Sequence, residues 1–230
     1  MSKYELSGET INFEGRTLHR IRALRDIESA HVKAGDLGGF LESEANLSQD
    51  GDCWVGKEAK VFERALVYED ALVTDNAEIR GKARVHGQAK ILDSTWISDE
   101  AKVRDQVIVR GGSWVYDQAI IRDQVRISGA VEIFGKSVVY GEAKLYDDCE
   151  IYGEARVFGE AWISGDAQIY GKAKVYDSAW VYGESAVYGD AKVYGDARVF
   201  EHAEIFGNAK IHGCAEVRNE AKLSLRADIC

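Results

Sequence analysis

One aliphatic residue recurs every six positions over most of this chain. From Val55 to Ile229 that step lands on 30 positions, and each is Val, Ile or Leu. Those residues make up roughly a fifth of an ordinary chain, so chance does not produce such an unbroken run. The neighbouring phases keep the same clock. Two residues before each aliphatic stands a small one. Of the 29 such positions from Ala59 to Ala227, 21 are Ala, and the others are Thr95, Val107, Ser113, Val125, Val131, Ser137, Cys149 and Ser185. Two residues after each aliphatic, from Lys57 to Leu225, 15 of 29 positions are Gly, 8 are Asp and one is Asn. These residues tolerate positive φ best.

The pattern dictates a geometry. Side chains alternate along a strand, so the small residue and the aliphatic point to one side and the residue between them points out. A turn at Gly or Asp follows, and the unit repeats. An inward face of one small and one branched residue suits a narrow coil wound about an axis. Self-similarity at a fixed short period is the mark of a solenoid.

The unit [LIV]-x-[GDN]-x-[Ala/small]-x resembles the hexapeptide repeat of left-handed β-helix proteins. Further residues narrow the likeness: Arg22-Ala23-Leu24, then Gly35-Asp36-Leu37-Gly38-Gly39-Phe40-Leu41-Glu42-Ser43-Glu44, then Gly51-Asp52-Cys53-Trp54-Val55, then the repeats of the Tyr-Gly-Asp-Ala type. With these the chain is similar to the prophage-associated YdcK-like proteins, often labelled transferases. The resemblance implies three hexapeptides per triangular coil of 18 residues, a left-handed parallel β-helix, and a phage or prophage origin. The 192 residues from Leu37 to Ile229 then predict about ten to eleven coils, a rod of roughly 50 Å at about 4.8 Å per coil. Homotrimers are common in that fold, and dimers are equally compatible.

The expected fold class is therefore all-β, with residues 1–36 as a small antiparallel cap and residues 37–230 as the β-helix. Tyr4–Leu6, Thr10–Phe13 and Thr17–Leu24 read as short strands, with turns at Ser7-Gly8-Glu9 and Glu14-Gly15. Solenoid ends expose apolar core and need such caps. Leu41, Ala45 and Leu47 already show hexapeptide spacing, and two extra residues bulge at Ser48–Asp52. No cap is expected at the C-terminal end.

The formal net charge of −10 disfavours nucleic acid. No apolar run is long enough to span a bilayer, and MSKYELSGET lacks a secretion signal, so the expected location is cytoplasmic with no membrane partner. Cys53, Cys149, Cys214 and Cys230 are scattered without a CxxC or Cys/His cluster, and they read as reduced bystanders with no metal.

Residues 18 apart should stack on adjacent coils. One corner then carries Tyr116, Phe134, Tyr152, Tyr170, Tyr188 and Phe206. A second carries Tyr140, Phe158, Tyr176 and Tyr194. Trp96 and Trp114 form one outward pair, and Trp162 and Trp180 another. Such ladders stiffen a solenoid, face a protein partner, or stack sugars or bases. Arg156, Lys174, Lys192 and Lys210 form a basic row, with Glu154 and Asp190 nearby to balance it. Trp96, Ile108, Trp114 and Ile120, with Arg104, Arg110, Arg122 and Arg126, combine the Trp and Arg content of interface hot spots. They form the candidate interaction patch.

A catalytic reading finds less. After Cys53 no inserted loop breaks the six-residue count, and a general base needs an enclosed pocket. Three His converging on zinc would be required of a carbonic anhydrase, but His86 and His212 share a phase seven coils apart. The glycines keep the repeat clock and make no phosphate cradle. The leading expectation is thus a non-catalytic scaffold that presents a repeat surface to itself or to a host protein. No catalytic, cofactor or metal residue is assigned. An acyltransferase with an inter-subunit site at His86 or His202, and an acidic decoy of a host defence or regulatory protein, are the alternatives.

Overall fold

The hexapeptide becomes a strand and a turn. The computed structural model describes residues 2–224 and 227–230, in two compact units, Met1–Gly112 and Ser113–Cys230. Both use one element, a strand of mostly two residues such as Lys192–Val193, ending at a turn. At the turn position φ is positive in every described repeat, from Lys57 at 53° to Asn219 at 60°. That conformation turns the chain after each short strand, and the aliphatics divide into three parallel sheets.

In the first unit, β1 (Tyr4–Phe13) and β2 (Arg16–Ala23) are antiparallel. β3 (Leu37–Leu41) joins the two modes of pairing: it is antiparallel to β2 and parallel to Lys60–Val61. Parallel pairing continues through Glu78–Ile79 to Trp96–Ile97. A second sheet runs from Trp54–Val55 through Leu72–Val73 and Lys90–Ile91 to Ile108–Gly111. A third runs from Leu66–Val67 through Arg84–Val85 to Lys102–Val103.

Two sequence expectations are corrected in this unit. Ser7-Gly8-Glu9 is not a turn between strands but a bulge within β1, because Leu6 pairs with Ile21 and Thr10 with His19, leaving Arg20 alone opposite three residues. Arg20 fixes that bulge: its guanidinium bonds Glu9, the Gly38 carbonyl and Glu58, and lies 4.4 Å over the Phe40 ring. Ala45 does not point inward. A 3-10 turn at Glu44–Asn46 rotates it out and buries Asn46, whose amide donates to the Glu63 and Ala65 carbonyls. A buried amide needs such partners, and the repeat spacing alone does not reveal them.

In the second unit all three sheets keep an 18-residue register. Trp114 aligns with Glu132, Glu150, Gln168, Ala186, Glu204 and Lys222. Ile120 aligns with Val138, Arg156, Lys174, Lys192, Lys210 and Asp228. Arg126 aligns with Lys144, Trp162, Trp180, Arg198 and Glu216. Backbone amides bond carbonyls 17 residues on, as from Trp180 to Ala197 at 2.9 Å. Inward residues such as Ala173 and Val175 are fully buried, whereas Leu223 and Ile229 are half-buried.

The fold is an all-β parallel solenoid with an N-terminal antiparallel cap. Among the described residues no helix is long and apolar enough to cross a membrane.

Candidate functional site

The outward positions hold the chemistry. In the second unit the first aromatic corner is a continuous stack: Tyr116, Phe134, Tyr152, Tyr170, Tyr188 and Phe206 follow one another at 4.8–5.1 Å between ring centres. The second corner stacks Tyr140, Phe158, Tyr176 and Tyr194, and His212 continues it at 5.0 Å. Arg122 closes that corner's lower end, 4.5 Å over Tyr140. Tyr182 on Phe200 forms part of a third. The chain's six-residue clock repeats every third turn, so like residues at 18-residue spacing meet face to face.

Stacking decides what these rings can do. Each inner ring gives both faces to its neighbours and shows only edges to solvent, so a sugar or base finds no free face along the ladder. Phenol edges remain available for hydrogen bonds. Tyr116 and Tyr188 donate to Glu132 and Glu204 at 3.4 and 3.1 Å. Burial, then Glu132, pushes the Tyr116 hydroxyl up to about 12. Lys222, then the Tyr188 hydroxyl, holds the Glu204 carboxyl below its ordinary range.

Trp162 and Trp180, on the sheet of Arg126, stack at 5.1 Å, with Lys144 5.8 Å from Trp162 and Arg198 5.8 Å from Trp180. Trp180 is 41% exposed and Trp114, on another sheet, 45%. Exposed tryptophan beside arginine is the content of interface hot spots. On the remaining sheet the basic row is in register, but its expected neutralisation is incomplete. Lys210 reaches Asp228 at 4.0 Å, while Glu154 and Asp190 form no contact ion pair with Arg156, Lys174 or Lys192. The reason is position: those acids follow the preceding turn, off the strand that carries the cations.

The candidate patch distributes over several faces. In the first unit Trp96 lies beside Glu78, with the Arg80 guanidinium 5.4 Å over its ring. Ile108 and Arg110 share one strand in another sheet, and Arg104 pairs with Asp105 at 3.7 Å. In the second unit Ile120 and Arg122 flank Ile121 and so face one way, next to Val138 and Tyr140. Trp114 and Arg126 stand on the other two sheets.

Three of the five histidines neighbour a carboxylate. His86 stacks on Tyr68 at 4.5 Å and lies 3.4 Å from Glu69. His202 lies 3.3 Å from Glu184, and His212 2.7 Å from Asp228. His19 pairs with Leu41 within the cap, and His31 follows its 3-10 turn. Among the described residues no three or more His, Cys, Asp or Glu gather to hold a metal ion. The first unit has an open hollow of about 370 Å³ beneath Tyr68, lined by Ala45, Leu66, Val67 and Arg84. His86 does not line it.

Sequence reasoning missed one recurring group. Where the turn residue is acidic, its carboxylate accepts the amide of the turn one coil on: Glu69 from Gly87, Asp123 from Gly141, Glu201 from Asn219, at 2.7–2.9 Å. The signal was present, since eight turn positions are Asp and three Glu. Reading them only as residues tolerant of positive φ concealed it.

Residues 167–183 match the family model described as the YdcK beta solenoid repeat. No curated protein matches the chain. That segment spans the Gln168–Ile169, Lys174–Val175 and Trp180–Val181 strands, one from each sheet. With the repeat and the fold on either side of it, the chain is a YdcK-like β-solenoid repeat protein.

Proposed function

We propose that this protein is a non-catalytic interaction scaffold of phage or prophage derivation, which self-associates through the outward faces of its repeats. One observation carries the reading. The second unit exposes Trp114 and Trp180 at fixed places on an otherwise regular surface, and the inner ladder rings keep their faces for one another. Large exposed aromatics cost free energy unless a partner covers them. Side edges are not available for strand addition in a closed coil, so contacts use faces. Ile120, Arg122 and Tyr140 add an apolar and cationic surface to the same unit.

Light scattering on the intact protein and on a Trp114→Ser/Ile120→Ser variant tests this. The wild type is expected to run above the 25.5 kDa of one chain and the variant at a lower mass. Equal masses for the two overturn the assignment of these residues to the interface.

A further inference from the structure

Lys3 and Cys53 carry chemistry that a scaffold does not use. Both side chains are fully buried. Lys3 Nζ lies 2.9 Å from Cys53 Sγ, and its other side-chain partner is the Asp50 carbonyl at 3.5 Å. Neither is a carboxylate. A buried ammonium without a carboxylate partner is costly, and the side-chain atom that Lys3 Nζ contacts is the Cys53 sulfur. Around the sulfur stand the carbonyls of Ser48, Asp50 and Val67 at 3.6–3.8 Å. Burial pushes the Cys53 thiol up, and the Lys3 ammonium pulls it back. Two side chains able to act as nucleophiles, one carrying nitrogen and one sulfur, are thus in direct contact.

We propose that Lys3 and Cys53 form a site of oxidative modification, at which a peroxide joins Nζ and Sγ through one bridging oxygen. The bond balance is closed. The sulfur attacks one hydrogen peroxide; its O–O bond breaks, giving a sulfenic acid and water. The amine nitrogen attacks a second peroxide in the same way, giving an N-hydroxyl and water. The two hydroxyls condense with loss of a third water, leaving N–O–S. Sulfur and nitrogen each give up two electrons, and the two peroxides take up four. The separation selects this product over a direct N–S bond. A direct N–S single bond is far shorter than the 2.9 Å contact, whereas a bent oxygen bridge holds the two atoms farther apart and asks for a smaller closure. The link would tie the residue before β1 to the coil 50 residues away.

The test uses the full chain with Cys214→Ser and Cys230→Ser, treated with hydrogen peroxide and read by intact and tandem mass spectrometry. A gain of about 14 Da, a peptide joining residues 3 and 53, and release by dithiothreitol are expected. In Lys3→Met the link is lost, and dimedone traps a sulfenic acid at Cys53. An unlinked Cys53 in the Lys3 protein, whether unmodified or oxidised to the sulfinic acid, overturns the proposal. So does a loss of about 2 Da, which marks a direct N–S bond.

Discussion

Glu63 Oε2 accepts a hydrogen bond from the Gly81 amide at 2.7 Å, across 18 residues of sequence. The same bond joins Asp147 to Gly165 and Asp177 to Gly195, at 3.1 and 3.2 Å. A side chain at positive φ costs about 1–2 kcal/mol, and the carboxylate offsets this by satisfying an amide of the next coil. Acidic and glycine turns are thus two solutions to one backbone demand.

Substitutions at Asp177 separate the two contributions. Asp177→Ala keeps the strain and loses the acceptor, and should destabilise by about 0.5–1.5 kcal/mol. Asp177→Gly loses the acceptor but relieves the strain, and should lie closer to wild type. Urea unfolding midpoints of the two variants give the order.

Gly135 has φ of 72°, and a Cβ there would stand 2.9 Å from the Gly153 backbone nitrogen. Gly135→Ala should therefore cost about 1–3 kcal/mol, more than Asp177→Ala. Thermal unfolding of both proteins checks the ranking.

The fold was legible because one demand, an inward aliphatic every six residues, is imposed at Val55 and still met at Ile229. The ladders were legible for the same reason, and Tyr170 meets Tyr188 where an 18-residue spacing puts it. What the spacing does not encode is direction outside the repeat. Asn46 turns inward in place of Ala45 because a 3-10 turn changes the phase locally. Ser7–Glu9 bulges because Arg20 draws Glu9 and Glu58 to itself. The candidate patch gathers outward Trp, Ile and Arg residues of neighbouring coils, but successive strands belong to different sheets, so Trp114 and Ile120 stand on different sheets.

Ser137 Oγ is the one buried side-chain polar atom without a partner among the described residues. Its phase is filled mostly by Ala. Thr95, by contrast, donates to the Leu92 carbonyl at 2.7 Å. Ser137→Ala should leave stability unchanged or raise it by up to about 1 kcal/mol, because it removes an unmet desolvation cost. Thr95→Ala should lower it. Denaturant titration distinguishes the two.

Burial and Glu132 raise the Tyr116 hydroxyl from its ordinary 10 to about 12. A group raised in the folded state contributes stability in full below its unfolded value. That contribution is lost as pH climbs from 10 to about 12. Burial also shifts Tyr152, Tyr170, Tyr176 and Tyr188 upward. Absorbance titration should show tyrosinate appearing late, together with unfolding, and Tyr116→Phe should reduce the alkaline loss of stability.

Native mass spectrometry of the purified protein, read for subunit number and retained small molecules, tests the scaffold reading most directly. The prediction is a ligand-free assembly of two or three chains that Trp114→Ser/Ile120→Ser dissociates. A trimer retaining an acyl carrier such as coenzyme A, and turning it over with an acceptor, would contradict it and place an active site between subunits.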